Sequence, residues 1–311
     1  MTPVSPDRLV VLTGADGRLG SRLAFRVAAA GGRQRLLVAG RATAPRLPGG
    51  AALPETEVLA VPADADSRAL SSAFEGAHAV FLVPGTDRAA RLGTQRAAID
   101  AAVLAGVRHV VYVSSVGAEP HAVASAARDD WLTEEYLRGT DLTWTILRIA
   151  MFHRTLTFAV NDESHGRGRD ALLRAPAGAG RVASVSHDDV ADAATAVLLD
   201  EDPNRHAGRV YHLTGPEALS FDQVAAELST ATGRTIRYAP QTVEQARALF
   251  YRSTATEVED WITRCQAIEA GLLAEVHPDV SQLAGRTARS LAVWLDDYPA
   301  EWAHLRLPSV R

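Results

Sequence analysis

Short apolar runs alternate with longer alanine-rich segments in the first half of the chain. The runs are rich in β-branched residues, as strands are, and the longer segments have the length and spacing of amphipathic helices. We predict strands at Leu9–Thr13, Arg35–Ala39, Glu57–Pro62, Ala79–Val83, His109–Ser114 and Trp144–Ile149, and helices at Leu19–Ala30, Ser67–Glu75, Arg88–Ala105 and Ala126–Arg138. This alternation predicts a doubly wound parallel sheet of the α/β class.

After about residue 150 the regular alternation of predicted strands and helices ends. Residues 161–180 are rich in glycine and charge, and we expect a long, lid-like loop there. A return to the sheet is then expected at strand Arg181–Val185, helix Asp188–Leu199 and strand Arg209–Leu213, followed by helices at Phe221–Thr232, Val243–Tyr251, Ala255–Gly271 and Ala288–Asp297. We predict one domain over residues 1–150, completed by residues 181–215, and a smaller, mainly helical C-terminal lobe within residues 151–311.

Composition excludes several classes of protein. The 311 residues are 47% hydrophobic and 22% charged, which is typical of a soluble globular protein. A net charge of -5 does not favour binding to nucleic acid or to an anionic membrane. No apolar run approaches the roughly 18 residues that a spanning helix needs. We expect a cytoplasmic protein without a signal peptide, and a homodimer is compatible with the sequence.

Two residue types limit the chemistry. The single cysteine, Cys265, excludes a disulfide framework and a multi-thiolate metal site, so we expect no metal. Every basic residue other than histidine is arginine, because the sequence contains no lysine. Lysine Schiff bases, a Walker-A loop and a Tyr-x-x-x-Lys catalytic pair are therefore all excluded.

A glycine-rich segment follows the first strand and opens the first helix. Gly14, Gly17 and Gly20 are spaced as G-x-x-G-x-x-G, with Asp16, Arg18 and Leu19 between them. Glycines in this context permit a tight turn and a close approach of the backbone to a pyrophosphate, which the N-terminus of the helix then binds. We predict a Rossmann-type fold that binds a dinucleotide through these six residues.

Charge after the second strand indicates which dinucleotide is bound. An NAD site usually has an acidic residue there for the ribose 2′-hydroxyl, but no acidic residue lies between Gly17 and Pro54. Arg41 follows the second strand and is placed to bind a 2′-phosphate, with Arg18 as the second contact. We therefore predict NADP(H). Arg22, Arg26 and Arg33 are interpreted as a solvent-exposed basic face.

Other predicted site residues lie at the carboxyl ends of the remaining strands, where ligands bind in open α/β sheets. Asp64 is expected near the adenine. The nicotinamide and its ribose are expected to contact Pro84, Gly85, Ser114, Ser115 and Ile149.

The chain resembles the NmrA-like atypical short-chain dehydrogenase/reductases, especially the branch with triphenylmethane reductase and the NADPH quinone oxidoreductases. The resemblance lies in the motifs Leu12–Gly20, Tyr112–Ala118, Thr133–Arg138, Trp144–Arg148, Asp188–Asp192 and Tyr211–Ser220. It implies NADPH preference and a substrate cleft between the Rossmann domain and the C-terminal lobe. Ile149 departs from the pattern, since many relatives have proline there.

The predicted activity is hydride transfer from NADPH to a small conjugated substrate such as a quinone or aromatic ketone. A delocalised acceptor makes a strong positioned acid less necessary. Ser115 is the candidate for bonding a substrate oxygen, or else it caps the turn after its strand. His153 is the candidate proton donor. We expect Tyr112 to pack in the core, and Tyr136 to lie on a helix whose Glu134, Glu135 and Arg138 face solvent.

Two other functions stay open on the sequence alone. One is a non-catalytic NADP(H) sensor that regulates a partner, as NmrA-like regulators do, and the missing catalytic pair favours it. The other is an NADP-dependent epimerase or isomerase, which would leave net NADPH unchanged.

Overall fold

A central parallel sheet organises the computed structural model, which describes residues 8–40, 43–62, 64–85, 88–161, 170–249 and 254–306. Its strands, with those of two smaller sheets, are β1 (Leu9–Leu12), β2 (Arg33–Ala39), β3 (Thr56–Val61), β4 (Ala77–Leu82), β5 (His109–Ser115), β6 (Thr143–Ile149), β7 (Val160–Asn161), β8 (Asp170–Ala175), β9 (Arg181–Val182), β10 (Arg209–Leu213), β11 (Leu219–Ser220) and β12 (Thr235–Pro240).

Helices cover the sheet and build the C-terminal region. They are α1 (Arg18–Ala29), α2 (Ser67–Phe74), α3 (Arg88–Leu104), α4 (Ser125–Arg138), α5 (His153–Thr157), α6 (His187–Leu198), α7 (Phe221–Thr232), α8 (Val243–Leu249), α9 (Ala255–Glu269), α10 (Asp279–Ala284) and α11 (Leu291–Asp297). Short 3-10 turns lie at Pro203–His206 and Ala303–Leu305. No helix within the described ranges is both long enough and apolar enough to cross a membrane.

The seven-stranded sheet has the order β10-β6-β5-β4-β1-β2-β3, and all of its pairs are parallel. This is the doubly wound Rossmann order, extended at one edge by β10. The apolar run Val110-Val111-Tyr112-Val113 is buried throughout because helices cover both faces of the sheet. The predicted fold class is confirmed.

The C-terminal region has its own core and a sheet that the sequence did not predict. β8 pairs with β12 in parallel and with β7 in antiparallel orientation. Trp294, Phe221 and Leu173 pack in this second core and are at most 1% exposed. Ser220 caps α7 and forms a capping box with Gln223. The division into two domains near residue 150 stays a prediction.

Two expectations about this region were wrong. The loop expected over residues 161–180 contains β8, which is held by its pairing with β12 more than sixty residues further on; residues 162–169 lie outside the described part. The expected strand Arg181–Val185 is only two residues long and pairs with β11, so it does not join the main sheet.

Arginines of α1 bind carboxylates of α6 instead of facing solvent. Arg22 Nε donates to Asp188 Oδ2 at 2.8 Å, and Arg26 Nη2 donates to Asp188 Oδ1 at 2.8 Å; Arg26 also pairs with Asp192. The expected exposed basic face is therefore wrong for Arg22 and Arg26, whose charges hold two helices together. Arg33 is exposed, as expected.

Candidate functional site

The glycine segment between β1 and α1 has the geometry of a pyrophosphate cradle. Gly14 has a φ of 60°, in the left-handed region, and Gly17 N–H donates to Gly14 O at 2.9 Å to close the turn. A Cβ on Gly20 would lie 2.2 Å from Gly14 O, so only glycine lets the helix pack this close to the strand.

The N-terminus of α1 is free to bind an anion. Gly17 is its N-cap and supplies no side-chain oxygen, and the first bond inside the helix runs from Ser21 N–H to Gly17 O. The amides of Arg18, Leu19 and Gly20 therefore have no partner inside the helix. This arrangement fits the pyrophosphate of a dinucleotide, whose charge the helix dipole also favours.

Residues predicted to contact the adenosine half come from the segments that follow β1, β2 and β3 in the chain. Arg41 lies outside the described residues, so its predicted contact with a 2′-phosphate stays a prediction. Arg18 is half exposed and donates to Glu301 Oε2 at 2.7 Å. Asp16 and Asp64 are exposed.

Residues predicted beside the nicotinamide lie at the ends of β4 and β6. Thr13 Oγ1 donates to Phe81 O at 3.1 Å and accepts from Val83 N–H at 3.0 Å, which fixes the end of β4 just before Pro84 and Gly85. Ile149, 7% exposed, ends β6 and accepts a hydrogen bond from Val116 N–H at 3.0 Å.

The Ser114 side chain points into the protein and is 3% exposed. Its Oγ donates to Glu134 Oε1 at 2.5 Å. Glu134 on α4 is fully buried and also pairs with Arg148 Nη2 at 2.6 Å and Arg138 Nη2 at 2.9 Å. The expectation that Glu134 faces solvent was wrong, because it is the carboxylate that ties α4 to the ends of β5 and β6.

Ser115 bonds a buried carboxyl that the sequence reading did not single out. Ser115 Oγ donates to Asp130 Oδ2 at 2.5 Å, and Tyr112 OH donates to Asp130 Oδ1 at 3.0 Å. Asp130 lies on α4 and is only 2% exposed. Burial raises the pKa of Asp130, while the two hydroxyl donors and nearby arginines act in the opposite direction. Tyr112 is buried as expected, but its hydroxyl belongs to this cluster.

The sequence contained a signal for Asp130. The buried positions of α4 include Ala126, Ala127, Asp130, Thr133, Glu134 and Leu137, which recur at helical spacing. Asp130 and Glu134 therefore lie on the stripe that faces the sheet, where an acidic residue requires a partner.

The positive charges of two arginines act on Asp130. Arg91 on α3 has its Nη1 4.0 Å from Asp130 Oδ1 and donates from Nε to Gly85 O at 3.2 Å. Arg264 on α9 is half-buried, and burial lowers the pKa of its guanidinium despite the charges of Asp260 and Asp130. No residue of the described ranges accepts a hydrogen bond from Arg264.

His153 is a poor proton donor. It is 2% exposed, its Nδ1 lies 2.8 Å from Ser184 Oγ, and its Nε2 lies 3.1 Å from Arg289 O. Burial lowers its pKa to about 4, so the ring is neutral at pH 7. The catalytic role predicted for His153 is therefore replaced by a structural one, between α5 and the C-terminal residues.

The buried His153 predicts a loss of stability in acid. The pKa of His153 in the folded protein, about 4, lies below the ordinary value of 6.5. The stabilisation of the folded state by the neutral ring is therefore fully present above pH 6.5 and is lost as the pH falls toward 4. Between pH 7 and pH 5 we expect the free energy of unfolding to fall by about 2 kcal/mol more in wild type than in His153→Gln. Urea unfolding at both pH values measures this. The exposed His121→Gln should keep the wild-type dependence, and an unchanged dependence in His153→Gln would refute the assignment.

Fold and site together define a dinucleotide-dependent enzyme of the Rossmann class. The chain matches the family model described as NAD(P)H-binding over residues 14–201, more than half of its length, and belongs to that family.

Curated relatives and a solved structure agree with this class. The chain is 33% identical to the (4-alkanoyl-5-oxo-2,5-dihydrofuran-3-yl)methyl phosphate reductase of Streptomyces griseus subsp. griseus, over 95% of this chain and 99% of that protein. It is 30% identical to the NAD(P)H azoreductase of Xenophilus azovorans, over 73% and 77% respectively. The Escherichia coli NADPH-dependent quinone oxidoreductase in complex with NADPH has a TM-score of 0.76 at 26% identity, over 93% of this chain and 99% of that chain.

These findings confirm the resemblance to NmrA-like reductases and the predicted cofactor class. The chain is an NAD(P)H-dependent oxidoreductase. The individual site residues stay predictions, and so do the cytoplasmic location and the homodimer.

Proposed function

We propose that this enzyme uses NADPH to reduce a small conjugated acceptor that carries an anionic group, with a phosphate ester as the best candidate. The bound cofactor supplies the hydride, and the protein orients the acceptor beside Ser115. The relative from Streptomyces griseus, aligned over 99% of its length, is named for an unsaturated acyl lactone with a methyl phosphate. NADPH preference rests on the arginine-rich segment that includes Arg41.

The pair Arg91 and Arg264 carries this proposal. Each guanidinium has five N–H donors, and the hydrogen bonds described for the pair use one of them, from Arg91 Nε to Gly85 O. Because the chain has no lysine, arginine must provide any side chain that binds a phosphate with a full positive charge at every physiological pH. Two guanidiniums can bind the oxygens of one phosphate in bidentate fashion.

The position of this pair matches the predicted site. Arg91 bonds the loop after β4 and lies 4.0 Å from the carboxyl that holds Ser115, and the charge of Arg264 also acts on that carboxyl. An anion bound between them would place the rest of a small acceptor near the carboxyl ends of β4, β5 and β6. Quinones and azo compounds, which the other relatives are named for, would lack this charged contact.

Arg264→Gln tests the proposal. A lost charge-assisted bond is worth roughly 1.5–3 kcal/mol, so we expect KM for an unsaturated lactone methyl phosphate to rise about 10- to 100-fold. KM for the corresponding free alcohol should change little. The measurement is the rate of NADPH oxidation with the phosphate, the alcohol and an uncharged quinone.

Arg247→Gln is the matched control, since Arg247 forms only an exposed ion pair with Glu259 at 3.1 Å. It should behave as wild type with all three acceptors. If wild type turns over the alcohol or the quinone as efficiently as the phosphate, the anionic acceptor is excluded and the activity is that of a general quinone or ketone reductase.

A further inference from the structure

A proton must reach the acceptor after hydride transfer, and the groups usually used for this are absent or misplaced. The chain has no lysine. Both ring nitrogens of His153 are hydrogen-bonded, to Ser184 Oγ and to the Arg289 carbonyl. Tyr136 bonds Asp100 Oδ1 at 2.7 Å on the outer side of α4, and this bond raises the pKa of its phenol.

Within the described part of the chain, Asp130 is the acid that contacts the hydroxyl of Ser115, the candidate for bonding the substrate oxygen. Its Oδ2 lies 2.5 Å from Ser115 Oγ, which ends β5 at the ligand-binding edge of the sheet. Its other oxygen is held by Tyr112 OH at 3.0 Å, so the carboxyl has a fixed orientation.

The surroundings of Asp130 allow it to gain and lose a proton. Burial favours its neutral form. Tyr112 from β5 donates to it, Arg91 Nη1 from α3 lies 4.0 Å from it, and the charge of Arg264 from α9 acts on it, as the charge of Asp260 acts on Arg264. The positive charges of the arginines stabilise the carboxylate after the proton has left.

We infer that Asp130 supplies the proton of the reaction through the Ser115 hydroxyl, an inference that rests on the proposed function. Ser115 is then the catalytic residue, and Asp130 is a positioning residue that acts through it.

Hydride adds to the electrophilic carbon of the acceptor, and the electron pair of the conjugated double bond moves to the acceptor oxygen. When Asp130 is protonated, the hydrogen bond between the two side chains is reversed: Asp130 Oδ2–H donates to Ser115 Oγ, and the Ser115 hydroxyl turns to donate to the acceptor. The Ser115 Oγ–H bond breaks and its proton moves to the acceptor oxygen, while the Asp130 O–H bond breaks and its proton moves to Ser115 Oγ. The Asp130 carboxylate then takes one proton from solvent. In total, acceptor, NADPH and one proton become reduced acceptor and NADP+.

Asp130→Asn separates proton supply from orientation, because the amide oxygen still accepts a bond from Ser115 but the group cannot deliver a proton. General acid catalysis contributes typically 10²–10⁴-fold, so we expect kcat at pH 7 to fall about 100-fold while the NADPH Kd changes less than about two-fold. In wild type, kcat should fall as the pH rises through the pKa of Asp130. This descending limb of the pH profile should be absent in the variant. Asp130→Glu should recover part of the activity and the limb.

Ser115→Ala provides a second, independent variant if Asp130→Asn folds poorly. It should lower kcat by a similar factor, and the double variant should be no slower than the slower single variant, because both groups act in one series. Glu135→Gln, on the exposed face of α4, should match wild type.

Retention of more than one-fifth of wild-type kcat with an unchanged pH limb, or additive losses in the double variant, would overturn the relay. A wild-type enzyme that oxidises no NADPH with any acceptor would instead contradict the proposed function itself. The two failures are therefore distinguishable.

Discussion

Gly17→Val is expected to abolish NADPH binding and leave a folded protein. Gly17 has a φ of -77°, which any residue adopts, and a Cβ there would lie 3.1 Å from Gly14 O, so a shift of a few tenths of an ångström accommodates it. The added branches would instead fill the space over the free amides of α1. Loss of two charge-assisted bonds of roughly 1.5–3 kcal/mol each predicts a Kd about 1000-fold higher.

Fluorescence titration with NADPH measures this Kd, and thermal unfolding verifies the fold. Gly93→Val is the matched control, since a Cβ at Gly93 in α3 meets no atom within 4 Å. Gly20→Val should fail differently, by losing the fold, because its Cβ would lie 2.2 Å from Gly14 O. An unchanged NADPH Kd in Gly17→Val would show that the loop does not cradle the pyrophosphate.

Glu134→Ala is expected to lower the free energy of unfolding strongly. Glu134 is fully buried, and its carboxylate binds Arg148, Arg138 and the Ser114 hydroxyl. Removing one member of a buried ion pair leaves the other charge uncompensated and typically costs about 3–5 kcal/mol. Denaturant unfolding at pH 7 measures this cost.

The neighbouring residue gives a matched comparison. Glu135 is about half exposed and forms one ion pair, with Arg138 at 2.7 Å, so Glu135→Ala should cost less than about 1 kcal/mol. Equal effects of the two substitutions would mean that the buried network does not hold α4 against the sheet.

Local patterns were sufficient to predict the first half of the fold. The strands β1 to β6 begin and end within two residues of their predicted bounds, because each has its own apolar periodicity and turn residues. In the second half, β10 and α7 have the predicted bounds. The Gly14-Gly17-Gly20 spacing also predicted the cradle, since its geometry depends on consecutive residues.

Features that depend on distant contacts were missed. β8 is a short segment in a charged, glycine-rich context, and only β12 makes it a strand. The burial of His153 depends on Ser184, Arg289 and Trp294, which follow it by 31 to 141 positions. Arg22 and Arg26 are likewise paired by α6. Such contacts leave no pattern near the residue they affect.

The central claim is that this protein transfers hydride from NADPH to a conjugated acceptor. Its most direct test is incubation with NADPH deuterated at C4 of the nicotinamide, in the presence of the unsaturated lactone phosphate, followed by mass spectrometry of the product. We expect one deuterium in each product molecule formed with the correct C4 stereoisomer, and one NADP+ formed for each product. Tight NADPH binding without turnover of any acceptor would indicate a sensor, and a rearranged product with no net oxidation of NADPH would indicate an epimerase or isomerase; either result would contradict the claim.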